Sequence, residues 1–227
     1  MSNTDNSQHL QDLYPFLHSK SKDPIQDQIG LLESIKQKSD ESIDIKRQFF
    51  ANNSEALLNA ARAIAEVYKN KGRMYAMGNG GSSCDAAHFC VEFQHPVTAG
   101  RPALPAMNLL ADTAMNSAVS NDVGYKHIFV RQLNAHAREG DGLIGFSTSG
   151  CSDNMITAYA KAKEMKLVTL GLVGGDGGDM KSSGLVDHCL IVDSDSIHRI
   201  QEVHVVCYHI IWDLVHTLLA DSRGKVA

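Results

Sequence analysis

His88 and Glu92 stand four residues apart, and a run of glycines and serines comes directly before them in 78-GNGGSSCDAAHFCVEF-93. Glycine lets a backbone approach a ligand closely, and serine hydroxyls donate to anionic oxygens. A His and a Glu at this spacing share one face of a helix. Together they suggest a small anionic molecule held at one end and worked on by acid/base groups or a metal ion at the other. Glu92 is flanked by 89-FCV-91 and Phe93, so it is expected in apolar surroundings. A buried carboxylate needs a partner or carries a raised pKa, which suits a general base near neutrality.

A second loop, 147-STSGCSDN-154, has the same character. Both loops are expected to follow a strand and open a helix, whose free N–H groups and dipole favour an anion. Neither fits the dinucleotide fingerprint G-x-G-x-x-G with an acid about 20 residues on, nor the P-loop G-x-x-x-x-G-K-[ST]. A Gly/Ser loop between strand and helix is equally what a tight turn with a serine N-cap looks like. Two of them in one sheet favour phosphate.

Near the end of the chain, 199-RIQEVHVVCYH-209 carries Gln201 and His209 on a slowly drifting helical face. They lie roughly 12 Å apart along the axis, at about 1.5 Å rise per residue. Both side chains can lean toward a point between them. If His209 turns inward, His204 turns elsewhere, and His204 and His216 read as core histidines. Two His, a Glu and a Gln form a possible N/O donor set for a divalent ion such as zinc, without a metal-specific spacing.

The elements that must position these groups follow from apolar periodicity. Leu57, Leu58, Ala61, Ile64, Ala65, Val67 and Tyr68 recur at helical spacing and predict a helix from about Asp44 to Asn70, closed by Lys71-Gly72. Short apolar runs then alternate with amphipathic segments. The strands expected are 73-RMYAMG-78, 103-ALPAMNLL-110, 141-DGLIGFS-147, 167-LVTLGLVG-174 and 188-HCLIVD-193. Helices are expected between them, such as 152-SDNMITAYAKAKEM-165, and a last one over about Arg199 to Ala220. This alternation predicts an α/β fold with a parallel sheet, whose ligands bind at the carboxyl ends of strands.

The chain has 227 residues, 43% of them apolar, enough for one large domain with a core. A net charge of −5 argues against a nucleic-acid surface. Five cysteines without a CxxC pair read as reduced thiols of a cytoplasmic protein. MSNTDNSQHL carries no secretory signal pattern. The apolar stretch 204-HVVCYHIIWDLVHTLLA-220 is interrupted by three His and an Asp, so a buried helix is expected there rather than a membrane span. Residues 1–43 are expected to form a partly helical arm ahead of a domain over 44–227.

The ordered set 78-GNGGSSCDAAHFCVE-92, 120-SNDVGY-125, 147-STSGCSDN-154, 171-GLVGGDGG-178 and 199-RIQEVH-204 with His209 resembles the sugar-isomerase (SIS) fold. Within it, the set is similar to the sedoheptulose 7-phosphate isomerases of bacterial heptose synthesis. The resemblance runs from about Asp44 to Ala220. It implies a three-layer sandwich with a five-stranded parallel sheet, a homotetramer, and interconversion of sedoheptulose 7-phosphate with D-glycero-D-manno-heptose 7-phosphate. It also implies that Ser147, Thr148, Ser149 and Ser152 hold the phosphate. Asn79, Gly80, Gly81, Ser82, Asn121, Asp122, Glu92 and Gln201 would meet the sugar, with Glu92 and His209 as the acid/base pair. His88, Glu92, Gln201 and His209 match the zinc ligands of family members.

The chain departs from the family pattern at His95-Pro96, where a Gly-Arg pair is common, leaving His95 or Arg101 as substitutes for a basic contact. His198 also stands where a small or acidic residue is expected, and the arm is longer than usual. These departures leave open an isomerase of another phosphosugar. Two non-enzymatic readings exist in the same fold: a regulatory phosphosugar-binding module, and the proteins that bind the replication initiator. The initiator-binding proteins lack the Glu and the late His, and a regulatory module has no need of them. Both are present here.

Overall fold

In the computed structural model, residues 24–223 are described. The elements run α1 (Pro24–Lys69), β1 (Met74–Gly78), α2 (Gly81–Gln94), β2 (Ala106–Asn108), α3 (Thr113–Asp122), a 3-10 turn (Tyr125–His127) and α4 (Ile128–His136). They continue with β3 (Gly142–Ser147), α5 (Asp153–Glu164), β4 (Val168–Gly174), α6 (Gly178–Ser182), β5 (His188–Val192) and α7 (Ile197–Arg223).

The five strands form one all-parallel sheet in the order β2-β1-β3-β4-β5. All five expected strands are present, and 103-ALPAMNLL-110 is trimmed to Ala106–Asn108. Both faces of the sheet are covered, because strand side chains alternate and both sets are apolar. Met74, Ala76, Ile144, Phe146, Leu170 and Leu172 face the core shared with α1, α2 and α7. Tyr75, Met77, Leu143 and Val173 face the core shared with α3, α4, α5 and α6. This is a three-layer α/β sandwich: the parallel sheet follows the alternation, and the three layers are what the family resemblance implies.

Helix α1 starts well before Asp44. The chain divides into two compact units, Met1–Glu41 and Ser42–Ala227, and α1 passes from one to the other. Before the division its Ile25, Ile29, Leu31, Leu32 and Ile35 are exposed. After it, Phe49, Leu57, Ala61, Ile64 and Tyr68 are buried. The helix ends where Lys71 takes a left-handed φ of 62°, with Lys71 N–H donating to Tyr68 and Gly72 N–H to Val67. That is a Schellman-type stop. The expected arm lies largely outside the described residues.

Helix α7 is long and apolar enough over Ile197–Ala220 to cross a membrane by length and composition alone. Half of its most apolar window is buried inside the fold, through Val203, His204, Cys207, Tyr208, Ile211 and Val215.

The chain leaves β1 for β2 on one side and returns to β3 on the other, so the order reverses between β1 and β3. The loops after these two strands are therefore neighbours at one end of the sheet, where open α/β sheets bind ligands.

Candidate functional site

The site has two parts, a hydroxyl-rich cradle at the loops and an ionisable cluster between two helices. Asn79, Ser82, Ser147, Thr148, Ser149 and Ser152 line a small cavity of about 70 Å³, floored by Phe146 and Met155. Ser152 is the N-cap of α5, yet its side chain makes no capping bond, so its hydroxyl remains available to a ligand. Ser147 is buried, and its Oγ accepts from Gly150 N–H at 2.9 Å, which shapes the turn. Gly150 has a φ of 70°, and a Cβ there would meet the Gly177 carbonyl oxygen at 2.3 Å. The loop therefore needs glycine at this point.

Asn79 and Asn154 tie the two loops together by reciprocal amide bonds of 3.0 and 2.9 Å. Tyr125 adds a hydroxyl donated to Asn79 Oδ1 at 2.7 Å. Neither Asn154 nor Tyr125 stands out in the sequence as a site residue, although both lie in the quoted motifs. Asn121 and Asp122 are exposed, and their side chains bond to each other at 2.8 Å. Within 120-SNDVGY-125 it is Tyr125 that reaches the loop after β1.

The second part rests on α2 and α7, which pair side by side in the same direction. Gly81 and Asp85 meet Gln201, His88 meets Tyr208 and His209, Glu92 meets Trp212, and Phe93 meets His216. Residues 81, 85, 88 and 92 share one helical face. The Gln201 amide sits directly over Gly81, where any Cβ would come within 2.5 Å of its Nε2. A side chain at 81 would displace the end of Gln201.

His88, Glu92 and His209 each bring a ligand-type atom within 4.8 Å of the other two. His88 Nε2 stands 3.2 Å from Glu92 Oε1, and His88 Nδ1 stands 2.7 Å from the Tyr208 hydroxyl. Two imidazoles and a carboxylate, one imidazole already steered through its other nitrogen, form a donor set that fits a divalent ion such as zinc. The side chain of Gln201 sits over Gly81, at the first turn of α2.

Glu92 is not enclosed by apolar groups. Its side chain is 24% exposed and faces His88, while its backbone carbonyl accepts from Trp212 Nε1–H at 2.8 Å. Position 92 lies on the face of α2 that turns to α7, whereas Phe89 and Phe93 turn into the core. The buried carboxylate of the site is Asp85, only 5% exposed and not singled out by the sequence. Burial raises its pKa to about 6, against the smaller opposing effects of Gln201 and His88. The signal for it was its spacing from His88, one turn earlier on the same face.

The core histidines are as expected. His204 and His216 are buried, against Phe146 and Phe93 respectively, and burial drives the His204 pKa down to about 3, so the ring is neutral. Arg101 pairs with Asp213 and lies over the Trp212 ring at 4.3 Å, fastened to α7. His95 is exposed at the C-cap of α2.

A concavity of about 540 Å³ lies away from this site, between α1 and the edge strand β5. It is lined by Arg62 with Glu66 and Asp187, and neither motif loop reaches it.

The SIS domain family matches residues 39–174. A phosphoheptose isomerase of Aneurinibacillus thermoaerophilus is 43% identical over 193 residues, which is 83% of this chain and 96% of that protein. One from Helicobacter pylori is 40% identical over 189 residues, 79% of this chain and 97% of that protein. Among solved structures, the phosphoheptose isomerase of Francisella tularensis superposes with a TM-score of 0.78 at 32% identity, covering 82% of this chain and 98% of that one. The Neisseria gonorrhoeae phosphoheptose isomerase gives 0.77 at 35% identity, covering 82% and 99%. With the cradle and the His–Glu–His cluster carried on this sheet, the chain belongs to the SIS-domain family and, within it, to the phosphoheptose isomerases.

Proposed function

We propose that the protein interconverts the ketose sedoheptulose 7-phosphate and the aldose D-glycero-D-manno-heptose 7-phosphate. One observation carries this reading. A hydroxyl-lined cradle lies at the loops after β1 and β3, and α2, the helix that begins at the first of them, carries His88 and Glu92 beside His209 of α7. A sugar phosphate needs both, one at each end.

In this reading Ser147, Thr148, Ser149 and Ser152 hold the phosphate, aided by the N-terminus of α5. Asn79, Gly80, Gly81, Ser82, Asn121, Asp122 and Gln201 meet the sugar. Isomerisation takes a proton from C1, forms an enediol, and returns a proton to C2, while a proton moves from O1 to O2. Glu92 serves the carbon proton, and His209 serves the oxygens, since an imidazole can give and take a proton at one pH. His88, Glu92, His209 and Gln201 would hold a zinc ion. Bound there, zinc would supply Lewis-acid polarisation of the carbonyl oxygen. Glu92 has two oxygens, and His209 two nitrogens, so a ligand atom and a proton-transfer atom can coexist on one side chain.

We assign the protein to the cytoplasm, as a homotetramer without nucleic-acid or membrane partners, and place its N-terminal arm over residues 1–43. A second reading, an isomerase of a different phosphosugar, draws on His95 and Pro96 and on the fastening of Arg101 to α7. The deciding experiment is turnover of purified protein on sedoheptulose 7-phosphate and other ketose phosphates, with and without a chelator. Preference for the heptulose, lost on chelation and restored by zinc, supports the whole reading. Turnover indifferent to chelation removes the metal and leaves the acid/base pair. No turnover on the heptulose refutes the substrate.

A further inference from the structure

Tyr208 is 1% exposed and sits immediately before His209, so it has no access to solvent and no ordinary reason to carry a hydroxyl. That hydroxyl lies 2.7 Å from His88 Nδ1. The three rings of His88, Tyr208 and His209 form a triangle, with centroids 5.1, 4.9 and 4.9 Å apart and every pair edge-to-face. Phe146 backs the tyrosine edge-on at 5.8 Å. The tyrosine ring is therefore wedged against both histidines, and its hydroxyl has one direction to point.

We propose that Tyr208 is a positioning residue for His88, and that its hydroxyl aims the ring and adapts to either tautomer. The inference rests on the zinc reading of the cluster. Without an ion, the hydroxyl donates to Nδ1 and His88 Nε2–H donates to Glu92 Oε1, 3.2 Å away. With a cation on Nε2, that nitrogen must offer its lone pair, so the proton sits on Nδ1 and is donated to the tyrosine oxygen. A hydroxyl can take both parts. A carboxylate could only accept and an ammonium could only donate. The ring stays aimed at the cluster in both states, with no net proton gained or lost. The partner on a ligand's second nitrogen sets its orientation and basicity, and its loss typically costs about 10- to 100-fold in metal affinity.

The test is Tyr208→Phe, which keeps the ring and its packing and removes only the hydroxyl. Zinc affinity is measured by competition with a chromophoric chelator, beside the melting temperature. The expected result is binding about 10- to 100-fold weaker than wild type, with a melting temperature that shows the fold retained. Equal affinity in the two proteins overturns the proposal. A second measurement does not need the metal. The 15N shifts of the imidazole nitrogens in the zinc-free protein should report His88 as the Nε2–H form in wild type and as a mixture in Tyr208→Phe. An unchanged tautomer in the variant overturns the proposal as well. Wild-type protein that binds no zinc refutes the metal reading alone, and the tautomer measurement then decides whether Tyr208 positions His88.

Discussion

Asn79 and Asn154 are 75 residues apart in sequence and exchange amide bonds in both directions, at 3.0 and 2.9 Å. The pair locks the loop that follows β1 to the loop that follows β3. One loop leads into the helix bearing His88 and Glu92, and the other forms most of the anion cradle. Two carboxamides therefore fix how the cradle sits against the first turn of α2.

Loosening that lock should separate binding from chemistry less cleanly than losing a catalytic group. Asn154 is 3% exposed, and Asn154→Ala leaves the Asn79 Nδ2 without its partner, while Asn79 Oδ1 keeps the Tyr125 hydroxyl. We expect destabilisation of about 1–3 kcal/mol for the unpaired polar group. KM should rise about tenfold or more, with kcat falling less, as expected when positioning is lost. Steady-state kinetics with thermal unfolding check this; unchanged KM means the pair does not hold the cradle.

Glu92→Gln and His209→Ala should each cut kcat by about 100-fold or more, the range for a lost general acid or base. Neither residue is buried in the core, so melting temperatures of the zinc-free variants should stay close to wild type. A variant of either kind that turns over near the wild-type rate would remove that residue from the acid/base pair.

Asp85 makes stability depend on pH in a definite direction. Its folded-state pKa, about 6, stands above the ordinary value of 3.8. The folded protein thus holds this proton more tightly than the unfolded chain does. The stabilisation is full below about pH 4 and is lost as pH rises through about 6. In zinc-free protein the loss is up to ~3 kcal/mol, from the ~1.4 kcal/mol that each pKa unit represents. Denaturant unfolding at pH 4.5 and 7.5, for wild type and Asp85→Asn, isolates the contribution. The variant should be less pH-dependent over this window, and identical slopes would contradict the assignment.

Arg101 gives a contrasting expectation. It is bound to Asp213 and Trp212, and Trp212 in turn holds the Glu92 carbonyl. Arg101→Ala should destabilise by about 1–2 kcal/mol, from a partly buried pair and a cation–π contact. KM for the phosphosugar should change little. A large KM increase with stability intact would make Arg101 a substrate contact after all.

Much of this arrangement is legible in the chain read alone. The strands 141-DGLIGFS-147 and 167-LVTLGLVG-174 announce themselves because a strand buried on both faces is a short, unbroken apolar run. The glycine-serine loops, and the spacing of His88 and Glu92, are local features of the same kind. The true start of α1 is less legible, because Ile29, Leu31, Leu32 and Ile35 are exposed and do not repeat the buried pattern that marks the helix after Asp44. Helix propensity carries the helix further than the apolar face does.

The sequence by itself determined the succession of strands and helices along the chain, the two glycine-serine loops and the residue types of the cluster, since these follow from local periodicity and local turn chemistry. Only the tertiary structure decided that α2 and α7 pair in parallel. That register sets Gln201 over Gly81, Tyr208 against His88, and Trp212 on Glu92, each 120 residues away in the chain. It also showed Asp85, rather than Glu92, to be the buried carboxylate. Such contacts depend on how two distant helix faces interlock, and no local propensity encodes that register.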